Sequence, residues 1–293
     1  MTSVVIAAHN EAAVIGRCLD ALISQDIGEE PLDITVVANG CTDTTAELAR
    51  QRGVRVIEVD QANKALALNV GDAAARGFPR IYLDADIAVP ADAITAFTQA
   101  FGAMKAALIA APRRRMDVTG RPPAVSAYFA INSRLPAFQH GVFGRGMIAL
   151  SEPGRARFQA FPTMVADDLF LDSLFSQAEK HTVDSVEVLV ATPRHTWDLI
   201  RRLVRVRRGN TAMRQAGREG TVPASVRGAD RLAWFRSVVL PQPKLAPAAV
   251  VYVLITGFAA VLAMLKPRSS NSWGRDESTR QLPSQSRSGH GLT

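Results

Sequence analysis

Short apolar runs alternate with stretches of helical periodicity through roughly the first hundred residues, and this alternation restricts the chain to few folds. Ser3–Ala8 reads as a buried strand, followed by a helix over 11–25 with Val14, Ile15, Leu19 and Leu22 turned inward. Strands follow at 34–38, 54–59 and 80–83, with helices at 42–52 and 64–76 between them, and Pro90 opens another helix over 91–101. The strands are too apolar to face water on either side, so a mostly parallel α/β sheet covered by helices on both faces is expected. A hydrophobic content of 47% supplies enough core for one large domain over 1–193.

The remaining third has a different character. Residues 1–193 carry 17 Lys/Arg against 22 Asp/Glu, a net −5, whereas 194–244 carry 12 against 3, a net +9. An uncharged apolar run fills 245–265, flanked by Lys244 and Lys266. As a helix its 21 residues would reach about 32 Å, the thickness of a bilayer core. A basic collar beside such a run suits anionic lipid headgroups rather than nucleic acid. The expectation is a single-pass protein of the cell membrane, with 194–244 as a basic interfacial segment and its catalytic domain cytoplasmic. Glycines 209, 217, 220 and 228 are expected to break any long helix in that segment. Residues 266–293, rich in Ser, Arg, Gln and Gly, are expected to be disordered. Cys18 and Cys41 form no disulfide framework or zinc spacing, and no secretory leader is expected at the start.

In an open parallel sheet, ligands bind beyond the carboxyl ends of the strands. Three polar groups fall there: His9-Asn10-Glu11, Asn39-Gly40 and Asp84-Ala85-Asp86. Two carboxylates two residues apart in an extended segment point to one side and repel, and a divalent cation removes that conflict. Asn10 either meets a ribose or base, or caps the helix after it. Thr42 is a plausible cap for the next helix, and Lys64 at a helix start could reach a phosphate.

The order of these features resembles the family 2 glycosyltransferases of the GT-A fold. The resemblance rests on Ala8-His9-Asn10-Glu11, Asn39-Gly40-Cys41-Thr42-Asp43, Lys64-Ala65 with Leu68-Asn69, and Asp84-Ala85-Asp86, and covers roughly residues 1–210. It implies a Rossmann-like nucleotide-binding half followed by an acceptor-binding half. Asp84 and Asp86 would hold Mg²⁺ or Mn²⁺ on the donor diphosphate, with Ala8, Asn10, Glu11, Asn39 and Lys64 around the nucleotide. The family often has an acidic residue where Asn39 stands. An amide both donates and accepts, so a UDP-sugar donor follows from the resemblance and not from this residue.

The resemblance also assigns Asp168 as the base and Asp167 as its orienting or acceptor-binding neighbour, after the glycine-rich Gly141–Gly146 loop; otherwise Asp167 caps a helix over 169–177. Arg202-Leu203-Val204-Arg205-Val206 resembles the Q-x-x-R-W motif of processive members, with Arg for Gln and Val for Trp, which argues against a processive polymerase. Arg205 would clamp the donor diphosphate, unless the arginines of this stretch contact lipid. Its wheel puts Leu199, Ile200, Leu203, Val204 and Val206 on one face, with Arg207 among them. His195 could complete a metal shell. The reaction implied is transfer of a sugar, with inversion, to a hydroxyl of a membrane-associated lipid or glycan. The alternatives are a nucleotidyltransferase, which would need a glycine-rich basic loop absent from Ala8-His9-Asn10-Glu11, and a non-catalytic membrane-tethered binding or scaffold protein.

Overall fold

The computed structural model describes residues 1–28, 31–104, 106–163, 166–220, 230 and 232–265. The tail at 266–293 and Gly228 lie outside the described residues. In chain order the elements are β1 (Ser3–Ala8), α1 (Ile15–Ile23), β2 (Asp33–Asn39), α2 (Thr45–Arg50), β3 (Arg55–Val59), α3 (Lys64–Ala74), β4 (Arg80–Asp84), α4 (Ala93–Ala103) and β5 (Ile109–Asp117). The second half continues with α5 (Pro123–Asn132), α6 (Pro136–His140), β6 (Met147–Leu150), α7 (Glu152–Arg155), α8 (Asp167–Leu174), β7 (Lys180–Ala191), α9 (Thr196–Arg218) and α10 (Ala246–Leu265).

The seven strands form one sheet in the order β3-β2-β1-β4-β6-β5-β7. β3, β2, β1 and β4 run parallel, β6 is antiparallel to both neighbours, and β5 and β7 are parallel to each other. The mostly parallel α/β sheet expected from the alternation is therefore present. Strand periodicity splits β1 between two cores. Val4, Ile6 and Ala8 pack with Ile15, Leu19 and Leu22 of α1 and with Ile94 and Phe97 of α4. Val5 and Ala7 pack on the other face with Leu68 of α3, Phe170 and Leu171 of α8, and Met213 and Ala216 of α9.

Local boundaries differ from the sequence expectation for identifiable reasons. α1 starts at Ile15 rather than 11, because Asn10 takes a left-handed φ of 51° and the Glu11 amide donates to Thr45 Oγ1 at 2.7 Å. Asn10 therefore does not cap α1; its Oδ1 accepts from the Thr42 amide at 2.6 Å. Thr42 does not cap α2 either, since Asp43 Oδ1 accepts the Thr45 amide at 3.1 Å. Asp167 lies inside α8 instead of capping it.

The glycines at 209 and 217 do not break the basic segment: α9 runs through both for 23 residues. Each helical glycine costs about 1 kcal/mol, and burial of Leu199, Ile200, Met213 and Ala216 offsets that cost. α9 packs against α5 and α10, where Leu199 and Ile200 meet Val125, Tyr128, Phe129, Ile255 and Ala259. This docking turns Val206 outward, while Arg207, on the apolar side of the wheel, donates to the Thr256 carbonyl of α10 at 3.1 Å. The segment Pro243–Leu265 is long and apolar enough to cross a membrane, and only 17% of its most apolar window is buried.

Candidate active site

Because β1, β2 and β4 are parallel, their carboxyl ends share one rim, and the groups at Ala8, Asn39 and Asp84 converge there. Asn39 is fully buried; its Nδ2 donates to the Ala8 carbonyl at 2.7 Å, and its Oδ1 has no hydrogen-bond partner. Ala8 is buried as well, and Glu11 is 4% exposed. His9 Nδ1 lies 2.6 Å from the Asn39 carbonyl oxygen. These residues form the floor of the rim, with Asn10 above them.

Asp84 is the last residue of β4, and Asp86 is exposed in the turn that follows, where the Ile87 amide donates back to the Asp84 carbonyl at 3.2 Å. The two acids thus stand across a turn rather than along an extended segment, because the chain must swing away from the sheet toward α4. Their negative field reaches α1: burial pushes the Cys18 thiol up to about 12, and Asp86 and Asp84 add to the effect. A negative potential beside an exposed carboxylate pair fits a divalent cation that takes two protein carboxylates and completes its shell with phosphate oxygens and water. Among the described residues no cluster of three or more His, Cys, Asp or Glu is arranged to hold a metal ion. His195, exposed at the start of α9, is accordingly not brought to these acids.

The second half of the chain reaches this rim through the glycine loop before β6. The Asp84 amide donates to the Gly146 carbonyl at 2.8 Å, and the Gly144 amide donates to Asp168 Oδ2 at 2.8 Å. Both glycines have positive φ, +66° and +69°. A side chain at Gly146 would also collide with Ile87. Arg145 between them is 3% exposed and donates to the carbonyls of Gly141, Pro112 and Gln139, so it pins the loop.

Lys64 joins the two halves. Its Nζ lies 2.9 Å from Asp84 Oδ1 and 2.9 Å from Asp167 Oδ2. Burial works against the ammonium charge, but Asp167 and Asp84 more than offset it and hold its pKa well above the ordinary lysine value. Asp168 is raised as well, which for a carboxyl favours the neutral form. Burial and the neighbouring Asp167 charge push its carboxyl up to about 6, against Lys64 and the Gly144 amide. Two adjacent carboxylates are thereby separated in role, one ion-paired and one poised to titrate near neutrality.

Arg205 is half-buried on α9, three residues beyond Arg202. The sequence reading missed Arg114. In the run Arg113-Arg114-Arg115 on β5, the outer two are exposed and pair with Glu187, while Arg114 turns inward over the Phe138 ring at 4.1 Å. The period of two along a strand was the available signal. A cavity of about 650 Å³ between α1, β2 and β3 opens at the amino end of the strands, far from these groups.

A model of the family described as glycosyl transferase family 2 matches residues 3–153. The glycosyltransferase AglE of Haloferax volcanii is 36% identical over 90 residues, a stretch covering 29% of this chain and 30% of that protein. The mannosyltransferase PcManGT from Pyrobaculum calidifontis, in complex with GDP-Man and Mn²⁺, is similar at a TM-score of 0.59 and 21% identity, over 90% of this chain and 78% of that one. TarS 1–349 of S. aureus, in complex with UDP-GlcNAc, is similar at 0.51 and 11% identity, over 88% and 90%. At these identities the structural likeness carries the fold, which is the GT-A type.

Proposed function

The chain belongs to glycosyl transferase family 2, and from that premise we propose that it moves a sugar from a nucleoside-diphosphate donor to a hydroxyl of a membrane-associated lipid or glycan acceptor, with inversion. The observation that carries this reading is the Lys64 bridge. One ammonium, 2.9 Å from both Asp84 and Asp167, brings the acid at the end of β4 and the acid pair of α8 together. Asp84 and Asp86 are the residues that would hold Mg²⁺ or Mn²⁺, which when bound neutralises the charge developing on the leaving diphosphate. The solved mannosyltransferase with GDP-Man and Mn²⁺ supports that choice of ion.

Ala8, Asn10, Glu11 and Asn39 frame the nucleoside end. The buried Asn39 contributes by fixing the Ala8 carbonyl, and the exposed donor contacts fall to the loop above it. Lys64 and Arg205 are assigned to the diphosphate. Asp168 takes the proton of the acceptor hydroxyl as its oxygen bonds to the anomeric carbon and the bond to the diphosphate breaks. Asp167, held by Lys64, fixes the geometry of that carboxylate. With Asp168 acting as the one base on the acceptor hydroxyl and Asp84 and Asp86 given to the cation, a single displacement inverts the anomeric centre. The apolar α10 and the basic α9 support attachment to a membrane with the catalytic domain on the cytoplasmic side.

The test is a panel of UDP- and GDP-sugars, scored for hydrolysis with and without Mn²⁺. Mn²⁺-dependent release of one nucleoside diphosphate is expected. A panel without hydrolysis, and without any nucleotide-dependent rise in Tm, would favour the non-catalytic scaffold.

A further inference from the structure

Gly144 holds two side chains with its two backbone groups. Its amide donates to Asp168 at 2.8 Å, and its carbonyl accepts from Arg114 Nη1 at 3.3 Å. The second terminal nitrogen, Arg114 Nη2, is buried without a hydrogen-bond partner. A buried, charged donor left unpaired is costly. Further positive charge surrounds it: burial and the fields of Arg145 and Arg202 push the Arg114 pKa down to about 10. The acid facing this group is Asp168, which Gly144 holds on the other side. Arg145 is saturated by backbone carbonyls, which leaves Arg114 Nη2 as the donor still to be paired, within the field of Arg202.

We propose that Arg114 and Arg202 form, beside Asp168, a subsite for a phosphate group carried by a lipid acceptor. This rests on the transferase reading for the word acceptor, but the anion site itself does not. Guanidinium forks suit phosphate oxygens. Arg114 arises from the sheet interior, so contact with lipid headgroups at the protein surface does not account for it. The donor diphosphate is assigned to Asp84, Asp86, Lys64 and Arg205, and none of that assignment uses Arg114 or Arg202. The lipid source follows from the next neighbours. Tyr128 lies within the field of Arg202 and Arg207 and stacks on Tyr252 of α10 at 5.2 Å. From there α10 exposes Val250, Leu254, Phe258 and Val261, a surface for an alkyl chain.

The test measures binding to the full chain in detergent, using a long-chain alkyl phosphate, the matching alcohol and inorganic phosphate. The alkyl phosphate is expected to bind at least tenfold tighter than inorganic phosphate, and the alcohol not to saturate. Arg114→Gln and Arg202→Gln should each weaken the alkyl phosphate at least tenfold while shifting the Kd for UDP or GDP with Mn²⁺ less than twofold. Arg113→Gln, on the same strand but exposed, should change neither. Should Arg114→Gln fail to fold, Arg202→Gln carries the test. Unchanged alkyl phosphate binding in the variants, or its displacement by nucleotide and Mn²⁺, overturns the subsite. Equal affinity for inorganic and alkyl phosphate keeps the phosphate site and overturns the lipid source. Phosphate binding without any nucleotide binding would count against the transferase reading alone.

Discussion

Replacing Lys64 by Met keeps the length of the side chain and removes the charge between Asp84 and Asp167. Both ion pairs measure 2.9 Å, and the three side chains keep 28%, 45% and 23% of their exposure, so the pairs are only partly desolvated. Coulomb's law at that distance with an effective dielectric of about 40 gives about 3 kcal/mol per pair before dehydration is charged against it. Breaking a fully buried pair costs about 3–5 kcal/mol, and the partial exposure here reduces the net loss to about 2 kcal/mol. For a domain of this size that is about 4–8 °C in Tm at pH 7.5. Mn²⁺ should recover most of this in the variant, because a ligand at a hundred times its Kd stabilises by about 2.7 kcal/mol. In the unaltered chain Mn²⁺ must compete with the ammonium for Asp84, so its Tm rises less. Thermal unfolding of both proteins across a Mn²⁺ titration checks this. A variant within 1 °C of the parent, or an equal Mn²⁺ response in the two, would refute the reasoning.

Asp86→Ala should abolish transfer, with a Tm within about 2 °C of the parent because the side chain is exposed; turnover retained in that variant removes the metal assignment. Asp168 has a folded pKa of about 6 against an ordinary 3.8. The native state therefore binds more protons than the unfolded one between these values, so Asp168 costs stability as pH rises from 3.8 through 6. Asp168→Asn should then raise Tm at pH 7.5 while lowering kcat at least a thousandfold, and kcat/KM of the parent should fall tenfold per unit below pH 6; a parent profile flat from pH 5 to 7 contradicts the base assignment. Asp72 is buried and accepts from Arg80 at 2.8 Å, Tyr82 at 2.6 Å and Arg155 at 2.8 Å. Asp72→Asn should cost about 3–5 kcal/mol by stranding the two guanidiniums, read by urea unfolding, with loss confined to stability and none in donor Kd at low temperature.

The alternation of apolar runs and helical stretches was sufficient to specify the parallel half of the sheet, β1 to β4, because each parallel strand must be apolar on both faces and each helix on one; β5, β6 and β7 were not read from the sequence. It was also sufficient to place Asn39 and Asp84 at one rim, since parallel strands send their carboxyl ends the same way. What a single line of residues does not contain is which distant groups meet. Asp167 lies 103 positions from Lys64 in the chain, and only the fold brings them to 2.9 Å. Gly144 has no motif of its own that announces a bond to Asp168 on one side and to Arg114 on the other. The glycines of α9 show propensity overridden by packing: Gly209 and Gly217 stay helical because Met213 and Ala216 are buried in the core between α3 and α8. Asn39 is a second case of packing that the linear order does not announce: it is buried, and its Nδ2 donates to the Ala8 carbonyl on the neighbouring strand. Local pattern determined the elements and their rim; long-range packing decided which charges share the cleft, because ion pairs and hydrogen bonds act over a few ångströms of space and not along the chain.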